Sequence, residues 1–331
     1  MIQVVLEAPG KLAERSAKEP LAGPAEALVR MEKIGVCGSD FHAFAGKHPI
    51  YTYPRVLGHE LSGVVVAIPE NSQGIRPGDR CAIEPYISCG QCRACLRGRN
   101  NCCEHLQVIG IHIDGGMQEF FAVPVHLLHK SEILNLDQLA LVETLGIGAH
   151  AVDRSGLQAG EEALVVGAGP IGIAVAQFAS ARGAAVHVIE RNEWRRTFVE
   201  QMGYSASLGP GERRADVVFD ATGNSEAMSS SFELVATCGR LVLVGLTRDP
   251  IQINDSLFHR REMTVLASRN SYNLFPHIIR QIEEKAIDTS PWITHRIPLG
   301  DVASRFPELP AQQTLIKAIV DVHDGHRGTA E

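Results

Sequence analysis

Ala163-Leu164-Val165-Val166-Gly167-Ala168-Gly169-Pro170-Ile171-Gly172 is the stretch that decides the fold. Four apolar residues read as a buried strand, and the Gly-x-Gly-x-x-Gly after them opens a helical run, Ile171–Arg182. Each glycine has a physical reason. Gly167 permits a tight turn, Gly169 admits a pyrophosphate close to the backbone, and Gly172 lets the helix pack on the sheet. The helix start at Pro170 and Ile171 favours phosphate charge. The next strand, Ala185–Ile189, ends in Glu190, close to the expected ~20 residues downstream. A carboxylate there can bind both ribose hydroxyls of NAD and repel a 2′-phosphate. Arg191, Arg195 and Arg196 could instead pair with that phosphate, or form a solvated helix face. The carboxylate argument favours NAD over NADP.

The surrounding pattern repeats this unit. Apolar runs Val217–Phe219 and Arg240–Val244 alternate with helical stretches Glu193–Met202 and Ser225–Ala236. Continuous apolar strands between helices imply a parallel sheet covered on both faces. Arg240–Leu246 is expected near the sheet edge, where it could pair with a second copy across a two-fold axis. The texture before about residue 140 is different. Short β-like runs such as Ala27–Met31, Leu61–Ile68 and Phe120–Val123 are separated by turn signals such as Arg76-Pro77-Gly78-Asp79. This reads as an irregular, mostly β domain. A last strand-like run, Ala318–Val322, is expected to return to it.

Two groups of residues have metal-ligand chemistry. Five of the eight cysteines fall between Cys89 and Cys103. Cys89, Cys92 and Cys95 with Cys103 can close a tetrahedron of thiolates around zinc with no open position, which is the signature of a structural site. The bland alternative is a loop of free or oxidised thiols, and the adjacent Cys102 competes for the fourth position. The second group is dispersed: Cys37, the pair His59-Glu60, and Glu143. One thiolate, one imidazole and carboxylates suit a catalytic zinc. Glycines bracket Cys37 (Gly35 and Gly38) and precede His59 (Gly58), so backbone can converge on a small ion there.

Composition narrows the function class. The 331 residues carry 45% hydrophobic and 21% charged residues, enough for two domains with real cores. The net charge of −7 argues against nucleic-acid binding. No apolar run is long enough to span a membrane, and the first residues lack a signal-peptide pattern, so a cytoplasmic enzyme without membrane contact is expected.

Taken together, these residues resemble the medium-chain zinc alcohol dehydrogenase family, nearly end to end. Within it, the chain looks closest to the polyol and sugar-acid branch, which holds sorbitol and galactitol dehydrogenases and L-galactonate and L-gulonate 5-dehydrogenases. Gly35–Asp40, Tyr53–Glu60, Gly110–Gly116, Asp220–Asn224 and Ser268–Asn270 carry the resemblance, with the four-cysteine lobe the most specific part. The implied fold is α/β plus mostly β. A GroES-like catalytic domain would span 1–145 and 271–331, with a structural zinc lobe at about 86–106. A Rossmann domain at 146–270 would be inserted within it. The resemblance favours Cys103 over Cys102 and implies two zinc ions per chain. The catalytic one would be held by Cys37, His59 and Glu60, with Glu143 bound directly or through water. The family usually has proline after that glutamate, whereas this chain has Thr144. Thr222 and Gly245 join the expected cofactor set, and His112 and Arg269 the expected substrate set.

The chemistry implied is hydride transfer from a secondary alcohol to NAD, with zinc as Lewis acid. Ser39 would start a proton relay, and His42 could receive the proton. The expected substrate is a sugar acid such as L-galactonate or L-gulonate, because Arg269 could clamp a carboxylate; Arg269 could equally be a structural arginine. Polyol or L-threonine 3-dehydrogenase-type activity is the alternative, and a zinc-free, non-catalytic relative a more distant one. A homodimer or homotetramer is expected.

Overall fold

The computed structural model describes residues 1–323; the end of the expected catalytic segment, 324–331, lies outside them. Contacts divide the chain into two compact units. The first comprises 1–143, 275–283 and 289–331, and the second 144–274 and 284–288.

The second unit is built on a parallel sheet of six strands. Its spatial order is Ser205–Ser207, Ala185–Ile189, Glu162–Val166, Ala215–Asp220, Val235–Leu243 and Thr264–Ala267. The central strand Glu162–Val166 pairs in parallel with a neighbour on each side. Its Ala163, Leu164 and Val165 are buried, which explains why the run is continuously apolar rather than alternating. The helix Pro170–Ala181 follows it, with Gly169 as N-cap and proline at its first position. Two glycines make this junction possible. Gly167 adopts φ +97°, a left-handed conformation that L side chains rarely hold. At Gly172 a Cβ would overlap the carbonyl oxygen of Gly167.

Two expectations are corrected here. Ser225–Ala236 is not one helix. It is a helix Ser225–Ser230, a 3-10 turn Ser231–Leu234, and then the strand Val235–Leu243. Consecutive serines hydrogen-bond back to carbonyls four residues earlier, as Ser229 does to Ser225 and Ser230 to Glu226, a habit that weakens helices. Val235 is fully buried in the sheet core. The run at Arg240 lies near the sheet edge as expected, but it cannot pair there with a second copy, because Arg240–Leu243 already pairs with Thr264–Ala267 on its far side. The helix Asp255–Arg260 makes one further crossover, and Thr264–Ala267 becomes the outer strand.

The first unit is mostly β. Its longest strand, Glu26–Val36, pairs with Glu60–Ala67, Phe120–Pro124 and the C-terminal strand Lys317–Asp321, all antiparallel. The sheet continues through Arg80–Ile83 and Leu128–Lys130 on one side and Ile293–Pro298 on the other. A smaller sheet joins Ile2–Ala8 to Lys11–Ser16 and Arg55–Val56. The core between them gathers Leu6, Met31, Ile34, Leu61, Ile83 and Phe306.

Substituting Gly172→Ala should lower the unfolding free energy by about 1–3 kcal/mol, because the methyl meets backbone that cannot rotate away. Denaturant unfolding measures this. An unchanged midpoint would show that the turn relaxes without cost.

Candidate active site

Cys37, His59 and Glu60 come from neighbouring parts of the first unit's sheet. Cys37 leaves the end of the strand Glu26–Val36 and is the N-cap of the short helix Gly38–Phe44. His59 and Glu60 stand at the start of the strand Glu60–Ala67, and Glu60 lies opposite Gly35 in register. Their ligand atoms all lie within 4.8 Å of one another. Gly35 must be glycine, since a Cβ there would overlap the Glu60 carboxylate.

The group is buried and strongly charged. His59 Nδ1 is enclosed without a hydrogen-bond partner, and the Asp40 carboxylate is 3.8 Å away. Burial alone would depress the imidazole, but the Cys37 sulfur and Asp40 outweigh it and hold His59 well above its usual range. Asp40 is itself fully buried and accepts the backbone N–H of Cys37 at 2.9 Å. Burial raises its carboxyl.

The sequence-predicted partners divide. Glu143 is buried but is not a member of the three-residue cluster; its carboxylate accepts a short hydrogen bond from the Tyr86 hydroxyl. Burial pushes the Glu143 carboxyl up and Tyr86 well up, so the phenol stays a donor. Ser39 lies half-buried beside the Tyr51 hydroxyl, whereas His42 is exposed. His112 is turned into its own loop, where its Nδ1 accepts the Val108 N–H at 3.0 Å.

The four cysteines close on one another. Cys92 Sγ is 3.5 Å from Cys95 Sγ and 3.9 Å from Cys103 Sγ, and Cys103 Sγ is 3.5 Å from Cys89 Sγ. A 3-10 turn, Asn100–Cys102, carries the chain back so that Cys103 joins them while Cys102 stays exposed. Backbone N–H groups of Cys89, Glu104 and His105 point at these sulfurs at 3.3–3.5 Å. Such bonds, from Cys95 and Glu104 first, draw the Cys92 thiol down to about 6, while burial pushes Cys95 up to about 12.

In the second unit, an open pocket of about 710 Å³ lies at the glycine turn. Gly167, Gly169, Glu190, Arg191, Arg195 and Thr222 are among its lining residues. Glu190 accepts the N–H of Ala168 at 2.7 Å with one oxygen and that of Asn192 at 2.7 Å with the other. Arg196 instead donates to the carbonyls of Glu190 and Arg191, which removes it from the phosphate question. Thr222 is anchored by its hydroxyl to Asp220 at 2.6 Å. Gly245 packs against Gly223, leaving no room for a Cβ, and is not among the residues lining the pocket. Arg269 is exposed, just beyond the outer strand Thr264–Ala267.

Residues 23–133 match the alcohol dehydrogenase GroES-like domain, and residues 170–284 match the zinc-binding dehydrogenase domain. L-galactonate-5-dehydrogenase of Escherichia coli (strain K12) is 36% identical over 96% of this chain and 98% of its own length. The chain belongs to the zinc-type alcohol dehydrogenase family. Two solved structures extend the comparison. A structure described as a zinc-binding dehydrogenase, from Sinorhizobium meliloti 1021 and bound to NADP, superposes with a TM-score of 0.89. It is 31% identical and covers 97% of this chain and 99% of its own. The rspB alcohol dehydrogenase of E. coli CFT073, complexed with NADH, superposes with a TM-score of 0.92. It is 28% identical, with the same coverage of 97% and 99%.

For a member of this family, the largest omission from sequence reasoning is Lys317. Its ammonium is buried and donates to both Glu60 oxygens, at 2.6 and 2.7 Å. Burial would lower this lysine, but Glu60 first, then Cys37 and Glu143, keep it raised above its usual range. Tyr86 and Asp40 were missed too. Only the apolar flank of Tyr86 and the short spacing of Asp40 from Cys37 hinted at them.

Tyr86→Phe leaves the buried Glu143 carboxylate without its donor. The substitution should cost about 1–3 kcal/mol of stability, measured by denaturant unfolding. No loss at all would mean that Glu143 finds another partner.

Proposed function

We propose that this chain is a zinc-dependent, NAD-linked dehydrogenase that oxidises a secondary alcohol on a sugar acid. The observation that carries the metal reading is the convergence of Cys37, His59 and Glu60 within 4.8 Å. The donor set fits zinc: one sulfur, one nitrogen and one carboxylate, with His59 Nδ1 buried and unpartnered. Zinc bound there would act as a Lewis acid on the substrate hydroxyl. Cys89, Cys92, Cys95 and Cys103 would hold a second, structural zinc, since four protein sulfurs leave no position for chemistry.

This chain's own residues do the rest. Asp40 and the Cys37 N–H fix the turn that presents the thiolate. Ser39 stands next to that turn with its hydroxyl oxygen enclosed and without a hydrogen-bond partner, which suits a group that takes up a proton from bound substrate, and the exposed His42 can release a proton to water. Glu143, held by Tyr86, adds negative charge near the site rather than a direct ligand. In the nucleotide unit, Gly167 and Gly169 bring backbone to the pyrophosphate. Glu190 and Thr222 line the pocket where an adenosine ribose fits. The sugar-acid substrate is supported by the similarity to L-galactonate-5-dehydrogenase and by exposed Arg269, whose guanidinium suits a carboxylate. Among the described residues, no helix is long and apolar enough to cross a membrane. A homodimer or homotetramer is proposed from the outer strand Thr264–Ala267, whose free edge can pair with another copy.

Metal analysis with a substrate panel tests this function. The expected result is two zinc ions per chain and turnover of aldonates with NAD. Brisk turnover of neutral polyols or threonine and none of aldonates would overturn the sugar-acid assignment. One zinc per chain would overturn the catalytic metal.

Cofactor choice has its own test. Charge-assisted hydrogen bonds contribute about 1.5–3 kcal/mol each, so Glu190→Ala should raise KM for NAD at least ~10-fold. It should also remove the carboxylate that repels a 2′-phosphate beside Arg191 and Arg195, raising NADP use relative to NAD. The kcat/KM of both cofactors, in wild type and variant, measures this. An unaltered ratio would show that Glu190 serves only the glycine turn through Ala168.

A further inference from the structure

The sheet of the second unit carries another cavity, of about 230 Å³, that the cofactor reading leaves unused. Gly167 and Glu190 follow the carboxyl ends of their strands, whereas this cavity lies at the amino ends, among Glu162, His187, Ser205, Arg213 and Arg214. Leu164, His187 and Ser205 stand in register on adjacent strands and so share one face of the sheet. Arg213 and Arg214 are exposed, and among the described residues no ion pair holds either guanidinium; Arg214 donates one N–H to the Arg213 carbonyl at 2.8 Å. Glu162 is the single carboxylate of the lining, so the lining carries net positive charge. The neighbouring Asp216 carboxylate accepts the backbone N–H of Glu162 at 2.9 Å.

His187 links this cavity to the cofactor pocket. Burial first, then the Arg213 charge, hold its ring below the ordinary range, so it is neutral at pH 7 with one donor and one acceptor nitrogen. Its Nδ1 lies 2.8 Å from Ser205 Oγ and its Nε2 2.8 Å from Ser207 Oγ. The Ser207 hydroxyl donates onward to the Gly209 carbonyl at 2.7 Å, so Nε2–H donates to Ser207 and Nδ1 accepts from Ser205. Gly209, with Leu208 and Pro210, lines the larger pocket, and the Arg213 N–H closes a turn on the Pro210 carbonyl at 3.2 Å. One short loop therefore walls both cavities.

We propose that the smaller cavity binds a phosphate-bearing small molecule, and that its occupancy tightens the cofactor pocket through Ser207 and the loop 208–214. Two adjacent guanidiniums suit a phosphate, which accepts forked hydrogen bonds, and Ala163, Leu164 and Val186 offer an apolar floor to an organic remainder. An anion held by Arg213 and Arg214 fixes one end of the loop whose other end is the cofactor wall, so less ordering is left for the cofactor to bring about. The coupling rests on the NAD reading of the larger pocket; the phosphate site does not.

Phosphate can also settle at the glycine turn, so inorganic phosphate and glycerol 3-phosphate are titrated by calorimetry into protein saturated with NADH. Saturable binding is expected, and Arg213→Gln with Arg214→Gln should weaken it at least ~10-fold. Both side chains are exposed, so the variant keeps its fold. Tighter binding of glycerol 3-phosphate would support an organic phosphate; equal or weaker binding would support inorganic phosphate itself. NADH affinity is then read by fluorescence with and without phosphate. Saturating phosphate should tighten NADH about 5-fold, the low end of coupling between sites. Ser207→Ala should abolish this gain while phosphate still binds, and Ser207→Thr, which keeps the hydroxyl, should restore it. Failure to bind NADH would refute the NAD reading, and the phosphate titration of the free protein would then decide the site. No phosphate binding, or binding indifferent to Arg213 and Arg214, would overturn the site. NADH binding that weakens with phosphate, or a gain that survives in Ser207→Ala, would overturn the coupling.

Discussion

Glu60 is a carboxylate in the middle of a sheet, and a buried anion persists only with partners that hold it. Much of the first unit answers that requirement. Gly35 gives up its side chain so that the carboxylate fits between strands. The C-terminal strand Lys317–Asp321 lies along the strand Glu26–Val36 and brings the ammonium that balances the charge. Cys37, one residue beyond the end of that strand, then falls beside His59. The same pairing that satisfies one charge thus assembles the set that could hold a metal ion.

The second unit depends on a different constraint, the absence of side chains. Gly167 and Gly172 touch closely enough that the helix Pro170–Ala181 starts almost on the sheet. That proximity aims the helix N-terminus at the pocket and leaves N–H groups for Glu190 to hold. Glu190 therefore has two tasks in one carboxylate: it braces the turn and lines the pocket. Arg191 and Arg195 keep the opposite charge close by, so the pocket carries the elements of either cofactor preference on adjacent residues.

The features visible in the sequence were those whose partners are near one another in the chain. The four-cysteine lobe closes within Cys89–Cys103, and the turn at Asn100–Cys102 is a local event. The parallel sheet was legible because buried strands must be apolar throughout. Errors arose where local text was ambiguous. Ser225–Ala236 has a helical composition, but its serines turn back on their own carbonyls and Val235 belongs to the core. Arg240–Leu243 is near the edge, but its outer side was not recognised as covered because the strand that covers it, Thr264–Ala267, is only four residues long.

By itself, the sequence determined the two architectures, the glycine turn and the residue types of both candidate metal-ligand groups. Each follows from a periodicity or a spacing that the backbone obeys wherever it is. Only the tertiary structure decided which carboxylates do what. Glu60 meets a lysine 257 residues away, Glu143 is taken by Tyr86, and His112 is spent on its own loop. The physical reason is that a buried charge selects its partner by distance and desolvation, and neither quantity is written in the order of residues along the chain.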